Sequence, residues 1–293
     1  MRKQFVKTVE DLMALDECLA VLLGDIGVFG FRNAFKLYPD RTYNIGICEQ
    51  AMTGLGAGLA KEGFIPVFHS IAPFVVERCY EQLKIDFIYQ NLQANIVSVG
   101  SSYDYAGLGY THHCPGDVPV LKALPGIEIV VPGTAAEFDY LFRMAYNDKN
   151  LTYFRLSEQS NDQDQKVKFG QATVIRQGKK ATIIAVGPTL SSVIEASKRF
   201  DVTILYYTTV APFDANTLKE NCDSGKIMVV EPYYSGAITA DIHRCFKYVP
   251  LIIETLGVSH RVITNYGHAA EHDEAFGLTV QNIETRLEEL INA

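Results

Sequence analysis

Short apolar runs rich in β-branched residues alternate along this chain with stretches whose apolar positions recur every three or four residues. "NIVSVG" (Asn95–Gly100), "IEIVVPG" (Ile127–Gly133) and "LTYFRLS" (Leu151–Ser157) read as buried strands. After the second of these, Thr134 and Glu137 have the spacing of a capping box opening the helix "TAAEFDYLFRMAYN". The polar stretch "SEQSNDQDQKVKFG" (Ser157–Gly170) is almost free of apolar residues and reads as an interdomain linker. Beyond it the rhythm resumes. "ATIIAVG" runs into "PTLSSVIEASKRF", and "VTILYY" precedes a helical stretch near Asp214–Asn221. "KIMVVEP" leads to "GAITADIHRCF", then "PLIIETLG", and the amphipathic "VQNIETRLEELINA" closes the chain. Such alternation implies βαβ units. The predicted fold is therefore α/β with two domains, 1–160 and 170–293, each a mainly parallel sheet flanked by helices.

Composition narrows the function classes. The chain has 293 residues, 48% of them hydrophobic, enough for one large or two ordinary domains. A formal charge of -8 without any basic run argues against a nucleic-acid partner. "MRKQFVKTVEDL" reaches acidic residues before any long apolar run, so no signal peptide is expected there, and no apolar run approaches the ~18 residues needed to span a bilayer. Cys18, Cys48, Cys79, Cys114, Cys222 and Cys245 are scattered, with no CxxC pair, so the expectation is a reduced cytoplasmic protein.

The segment "RTYNIGICEQAMTGLGAGLAKEG" (Arg41–Gly63) breaks the local rules. Gly54, Gly56 and Gly58 each cost a helix roughly 1 kcal/mol relative to alanine, so close approach by another backbone or a ligand is expected to offset them. They miss the third glycine of a G-x-G-x-x-G loop, and a small-residue packing face of Ala51, Gly54 and Gly58 is the better reading. Glu49, at the seam between strand-like run and helix, is either an ordinary ion-paired residue or a functional acid. The "THH" of Thr111–His113 follows the glycine-bearing "DYAGLGY"; adjacent histidines share no face, so a common metal is not expected, and His112 is a candidate for acid/base chemistry or substrate contact. "HAAEH" (His268–His272) has metal-like i, i+4 spacing but lies in a polar, turn-like region without a third ligand, and no metal is assigned to it. Neither a G-x-S-x-G elbow nor a G-x-x-x-x-G-K-[ST] loop is present.

Taken together, and in this order, the segments resemble the C-terminal half of transketolase: a pyrimidine-binding domain followed by the transketolase C-terminal domain. "NIGICEQAMTGLGAGLAKEGFIPVF" is similar to the family's "GIAEQ" signature, and "PFVVERCYEQLKIDF" to the segment lining the aminopyrimidine pocket. "GLGYTHHCPGDVPVLKALPGIEIVVPGTAAE" resembles the "GEDGPTHQ" loop and the strand-Pro-helix unit after it. "AVGPTLSSVIEASK", "APFD" and "VVEP" resemble landmarks of the C-terminal domain. The resemblance implies thiamine diphosphate as cofactor and ketol transfer between sugars as activity. It makes Glu49 the acid that hydrogen-bonds N1′ of the aminopyrimidine, so promoting the imino form that removes the thiazolium C2 proton. It places Phe74 on the aminopyrimidine ring, Ile71 where a second Phe usually stands, and Asp25 and Arg78 near the cofactor. It further implies that the glycine-rich helix packs across a subunit interface. The family's GDG and Asn-Asn motifs, which hold the diphosphate and Mg²⁺, have no match here. The resemblance therefore implies the C-terminal subunit of a split transketolase, with Mg²⁺ bound mainly by an N-terminal partner subunit in an α2β2 heterotetramer.

Three departures bear on substrate. Phe29 replaces a phosphate-contacting serine, Glu158 the arginine of "LSRQ", and Leu108 the aspartate of "GEDGPTH" that reads a sugar hydroxyl. Arg2 matches an arginine of the phosphate site, His112 keeps the sugar-contacting histidine, and Arg155 remains as a further cation able to compensate. Two other readings stay open: the β subunit of an α-ketoacid dehydrogenase-type enzyme, and a non-catalytic assembly or regulatory homologue. Deoxyxylulose-phosphate synthase is a third relative, normally one fused chain. "GYTHH" and "GICEQ" favour transketolase.

Overall fold

A computed structural model describes residues 1–293. Twelve strands form two sheets. In chain order they are β1 (Leu19–Leu23), β2 (Thr42–Asn44), β3 (Ile65–Ile71), β4 (Ala94–Val99), β5 (Glu128–Val130) and β6 (Leu151–Arg155). Then come β7 (Thr173–Arg176), β8 (Thr182–Val186), β9 (Thr203–Tyr207), β10 (Thr209–Ala211), β11 (Lys226–Tyr234) and β12 (Ile252–Val258). The first sheet has the order β10-β5-β6-β4-β3-β1-β2 and the second β12-β11-β8-β9-β7. Every pairing is parallel except β10 with β5 and β7 with β9, both at sheet edges. The expected α/β fold with mainly parallel sheets is what the structure shows.

The inner strands β1, β3, β4, β6, β8 and β9 are buried on both faces, as a sheet covered by helices requires. Val21, Val67, Val97 and Phe154 point into one apolar cluster with Phe5, Val9, Phe138 and Phe142, from the helices Arg2–Met13 and Ala135–Ala145. Their neighbours Leu22, Phe68, Ile96 and Tyr153 point into the other, with Met52 and Ala57 from the helix Glu49–Lys61. This is the period of two that a strand imposes. The second sheet is covered likewise; Ile283, Leu287 and Leu290 of the closing helix Val280–Asn292 pack on its first face. Both clusters continue through the second sheet, so the two halves share their core.

Two local readings need correcting. Thr134 does cap its helix, accepting from the Glu137 amide at 3.2 Å, but Glu137 does not return the bond. Its carboxylate accepts from Gly133 N, Gln165 N and the Tyr206 hydroxyl at 2.8, 2.9 and 2.6 Å, tying the polar stretch and the second sheet to the first. "HAAEH" is helical rather than turn-like: His268 is the N-cap of the helix Ala269–Phe276, and Glu271 accepts from its amide at 2.7 Å. No helix is long and apolar enough to cross a membrane.

Candidate active site

Strand order directs attention to one crevice. From β1 the chain moves outward to β2, then returns across β1 to β3. In open α/β sheets, ligands bind beyond the carboxyl ends of strands where the direction of winding reverses. That point lies between the ends of β1 and β3, and Glu49 occupies it. The acid is the first residue of its helix, where the macrodipole favours negative charge, and its side chain is fully buried. Ser70, at the end of β3, donates to Oε1 at 3.1 Å, and Arg78 Nη1 donates to Oε2 at 2.7 Å. Gly24, just past β1, packs closely against the same pair: a Cβ there would stand 3.2 Å from Ser70 Oγ and 3.3 Å from Glu49 Oε1.

The glycine-rich helix divides its glycines between two tasks. Gly56 is the close approach; a Cβ there would lie 2.3 Å from the Phe68 ring. Ala51, Gly54, Leu55 and Gly58 face outward, and a Cβ on Gly58 would meet nothing within 4 Å. Ala51, Gly54 and Gly58 thus share one exposed face, at whose edge Asp86 Oδ2 would lie 3.7 Å from a Cβ on Gly54.

Beyond β3, the chain passes through wide π-type turns, Pro73–Glu77 and Leu83–Ile88. Such turns recur at functional sites. They place Phe74 and Arg78 on one side, with the guanidinium 4.1 Å from the Phe74 ring centroid. His112 meets the same ring edge-to-face at 5.3 Å, and its Nδ1 lies 3.0 Å from Thr111 Oγ1. Residues far apart in sequence, Glu49, Arg78, Phe74 and His112, therefore form one contiguous group. Ile71 sits just beside it, buried against Gly100, where a Cβ would approach it to 3.0 Å. Asp25 takes a left-handed φ of 64°, rare for a residue with a side chain, and exchanges hydrogen bonds with Asn44 at 3.0 and 3.2 Å.

Arg2 and Glu158 line a neighbouring cavity of about 110 Å³ with Tyr105, Gly100 and Leu156. Phe29 and Leu108 stand largely in solvent, 81% and 53% exposed; one face of Phe29 is covered by the Arg32 guanidinium at 4.6 Å. Arg155 is not available as a compensating cation. It is buried and bound to Asp117 at 2.7 Å, and its Nη2 donates to Ser102 Oγ at 2.7 Å and to the Pro232 carbonyl at 3.3 Å. A buried arginine of this kind needs its carboxylate, which fixes it at the junction of the sheets.

Sequence reasoning passed over Ser70 and Asn44. Each is a small polar residue near the carboxyl end of a strand, which is the signal that could have found them. It also passed over His69, fully buried on β3, whose Nδ1 donates to the Val97 carbonyl at 2.8 Å and whose Nε2 has no partner. Burial holds its imidazole far below the ordinary value, at about 4.

Comparison with known proteins bears on this geometry. Residues 1–163 match the family model of the transketolase pyrimidine-binding domain, and residues 170–283 match that of the transketolase C-terminal domain. The chain is 35% identical to an uncharacterized 33.6 kDa protein in the fasciation locus of Rhodococcoides fascians, over 95% of this chain and 91% of that one. It is 26% identical to one of the subunits of the apulose-4-phosphate transketolase of Phocaeicola vulgatus, over 91% and 92% of the two chains. Its fold is similar to that of a split-gene transketolase solved as an inactive beta4 tetramer, with a TM-score of 0.86 and 23% identity, covering 99% of this chain and 97% of that one. This chain belongs to the transketolase family, of which it carries the pyrimidine-binding and C-terminal domains.

Proposed function

We propose that this chain is the pyrimidine-binding subunit of a thiamine diphosphate-dependent transketolase, transferring a two-carbon ketol unit from a ketose to an aldose. In this reading residues 1–160 and 170–293 are its two domains. A separate N-terminal subunit holds the diphosphate and Mg²⁺, and two of each chain assemble into the active heterotetramer. The observation that carries the reading is Glu49, a buried carboxyl at the point where the sheet's winding reverses, held by Ser70 and Arg78 and closely approached by the backbone of Gly24. The family's two domains imply thiamine diphosphate. Nearly full-length coverage of a protein named as one subunit of a transketolase, and of a split-gene transketolase, supports a separate partner.

The residues present fit the aminopyrimidine half of the cofactor. A carboxyl fixed in direction at the reversal point of the sheet is the group that meets a ring nitrogen, and Phe74 supplies an apolar surface beside its Arg78 partner. When bound, the cofactor supplies the carbon nucleophile and the electron sink for cleaving the carbon–carbon bond. Glu49 holds the proton at N1′. Ser70 and Arg78 fix the direction of its carboxyl, so the proton is offered along one line. Phe74 excludes water from that contact, and His112, at the edge of the same ring, contacts sugar hydroxyls. The exposed Ala51, Gly54 and Gly58 face is the surface offered to another subunit.

The test is isothermal titration of thiamine diphosphate with Mg²⁺ into this chain, alone and mixed with its cognate N-terminal subunit. The expected result is negligible binding and turnover for the chain alone and both in the mixture. Micromolar, Mg²⁺-dependent binding by the chain alone would contradict the division of labour.

A further inference from the structure

The histidines left idle by that reading meet each other. His113, in the loop Gly100–Gly116, and His272, in the helix Ala269–Phe276, have ring centroids 5.5 Å apart at 80°. Both are buried; neither ring nitrogen of His272 has a hydrogen-bond partner, and those of His113 have only a weak contact to the backbone of Ala106. Buried polar groups are rarely left this way. The contact is part of a longer clamp. The Tyr103 ring stacks on Phe276 at 5.7 Å and tilts against His272 at 5.1 Å, while its hydroxyl donates to Asp273 at 2.5 Å. The Gln159 amide donates to the same carboxylate at 3.0 Å. Further along, Gly109 has a φ of +73° and no room for a side chain, because a Cβ would stand 2.5 Å from the Tyr266 ring. The Tyr234 amide donates to the Pro115 carbonyl at 2.9 Å.

The loop is thus gripped from its start to its end by residues of the second half of the chain. His112 and His113 face opposite ways, one to Phe74 and the other to His272. Any shift of His113 reaches His112 through a single peptide unit.

We propose that the helix Ala269–Phe276 positions the His112 loop for the sugar substrate, and that the His113–His272 contact is an acid-sensitive joint, closed only while both imidazoles are neutral. The inference rests on the reading of His112 as a sugar contact. His272 and His113 are positioning residues; neither faces Phe74. Around the pair stand Tyr103, His112, Glu271 and Asp273, with Arg261 over the Phe276 ring at 5.1 Å. Neither carboxylate is hydrogen-bonded to either imidazole: Glu271 accepts from the His268 amide, and Asp273 from Tyr103 and Gln159. Protonation would place two like charges in a dry contact. Burial lowers both imidazoles below the ordinary histidine value; His272 deepens the effect at His113, while Glu271 and Asp273 partly oppose it at His272. The closed joint therefore binds fewer protons than the open one. It is favoured above the ordinary value near 6.5 and loosens as pH falls below it.

Hydrogen exchange of the full chain, read by mass spectrometry over residues 101–116 and 269–276 and corrected for intrinsic rates, tests this without any turnover. Between pH 7.5 and 5.5, each imidazole that is ordinary when the joint is open favours opening by up to about tenfold. Both segments are expected to lose protection together. His272→Phe, which keeps a ring against Tyr103, should retain only the share of His113, and His113→Phe with His272→Phe should give no response. His272→Gln, neutral and still polar, serves if the phenylalanine variants fail to fold. A response that survives removal of both imidazoles, or one segment opening without the other, would overturn the proposal. In the assembled enzyme, His272→Phe is expected to raise KM for the sugar severalfold while C2–H exchange of the cofactor stays unchanged; equal loss of both would overturn the positioning role. Failure of the exchange test leaves Glu49 and His112 in place. An inactive wild-type assembly whose joint still titrates would remove the catalytic reading alone.

Discussion

Arg78 donates from Nη1 to Glu49 Oε2 at 2.7 Å while its guanidinium lies 4.1 Å from the Phe74 ring centroid. One side chain thus sets the direction of the buried acid and closes one side of the aromatic surface next to it. The acid end has no exposure, whereas the Arg78 side chain is 34% exposed. Removing one partner of a fully buried pair costs about 3–5 kcal/mol. Here the wet end reduces that, so Arg78→Ala should lower stability by about 1–3 kcal/mol. Urea unfolding of the isolated chain measures it, and an unchanged midpoint would show that the pair contributes little.

The two glycine positions should respond in opposite directions. Gly56→Ala gains helix propensity but drives a methyl into Phe68, and a net loss of about 1–3 kcal/mol is expected. Gly58→Ala meets nothing, so it should stabilise the isolated chain by up to about 1 kcal/mol. If that face receives another subunit, the same substitution weakens assembly. Thermal unfolding and sedimentation of the two variants, alone and mixed with the partner, separate these effects.

His69 makes stability depend on pH. Its folded-state value of about 4 lies below the ordinary 6.5, so its contribution is complete above pH 6.5 and is lost as pH falls towards 4. The loss amounts to roughly 2 kcal/mol at pH 5. In His69→Gln, whose amide can still donate to Val97, the difference in unfolding free energy between pH 7 and pH 5 should shrink by about that amount.

The alternation of β-branched runs with helical spacing was enough to read the α/β fold, because each run reports its own burial. Glu49 drew attention for a different reason: the glycine-rich helix it opens conflicts with helix propensity, and the resemblance of "GICEQ" to the family's "GIAEQ" singles out the acid. What stayed hidden depends on partners distant in sequence. β10 is three residues long and pairs backwards onto the first sheet, which no local pattern announces. Arg155 looked like a free cation until Asp117 was found against it, and Glu137 looked like half of a cap until Tyr206 and Gln165 claimed its carboxylate. The helix after His268 buries only His272, so its apolar face is too narrow to read from spacing.

In the proposed reading, acceptor preference turns on Glu158, since Phe29 and Leu108 stand largely in solvent. Arginine grips phosphate with charge-assisted bonds, whereas Glu158, beside Arg2, opposes a dianion. At about 4 Å and an effective dielectric near 20, one such pair of like charges costs roughly 4 kcal/mol before screening, which removes much of it at this exposed position. The assembled enzyme should favour unphosphorylated or larger acceptors over ribose 5-phosphate in kcat/KM, and Glu158→Arg should move the ratio towards the phosphate by about tenfold or more. A wild-type preference for ribose 5-phosphate by orders of magnitude would show that Arg2 alone suffices.

The central claim is that Glu49 holds the proton at the cofactor's N1′, and exchange of the thiazolium C2 proton for deuterium in the assembled enzyme reports on it most directly. Glu49→Gln keeps the size of the side chain and can still accept from Arg78 through its amide oxygen while its NH2 donates to the Ser70 hydroxyl, but it cannot hold and return a proton. General acid–base contributions run at roughly 10² to 10⁴ in rate, so exchange in the variant should slow by that much while assembly and cofactor affinity stay nearly unchanged. Exchange at the wild-type rate in Glu49→Gln would contradict the account.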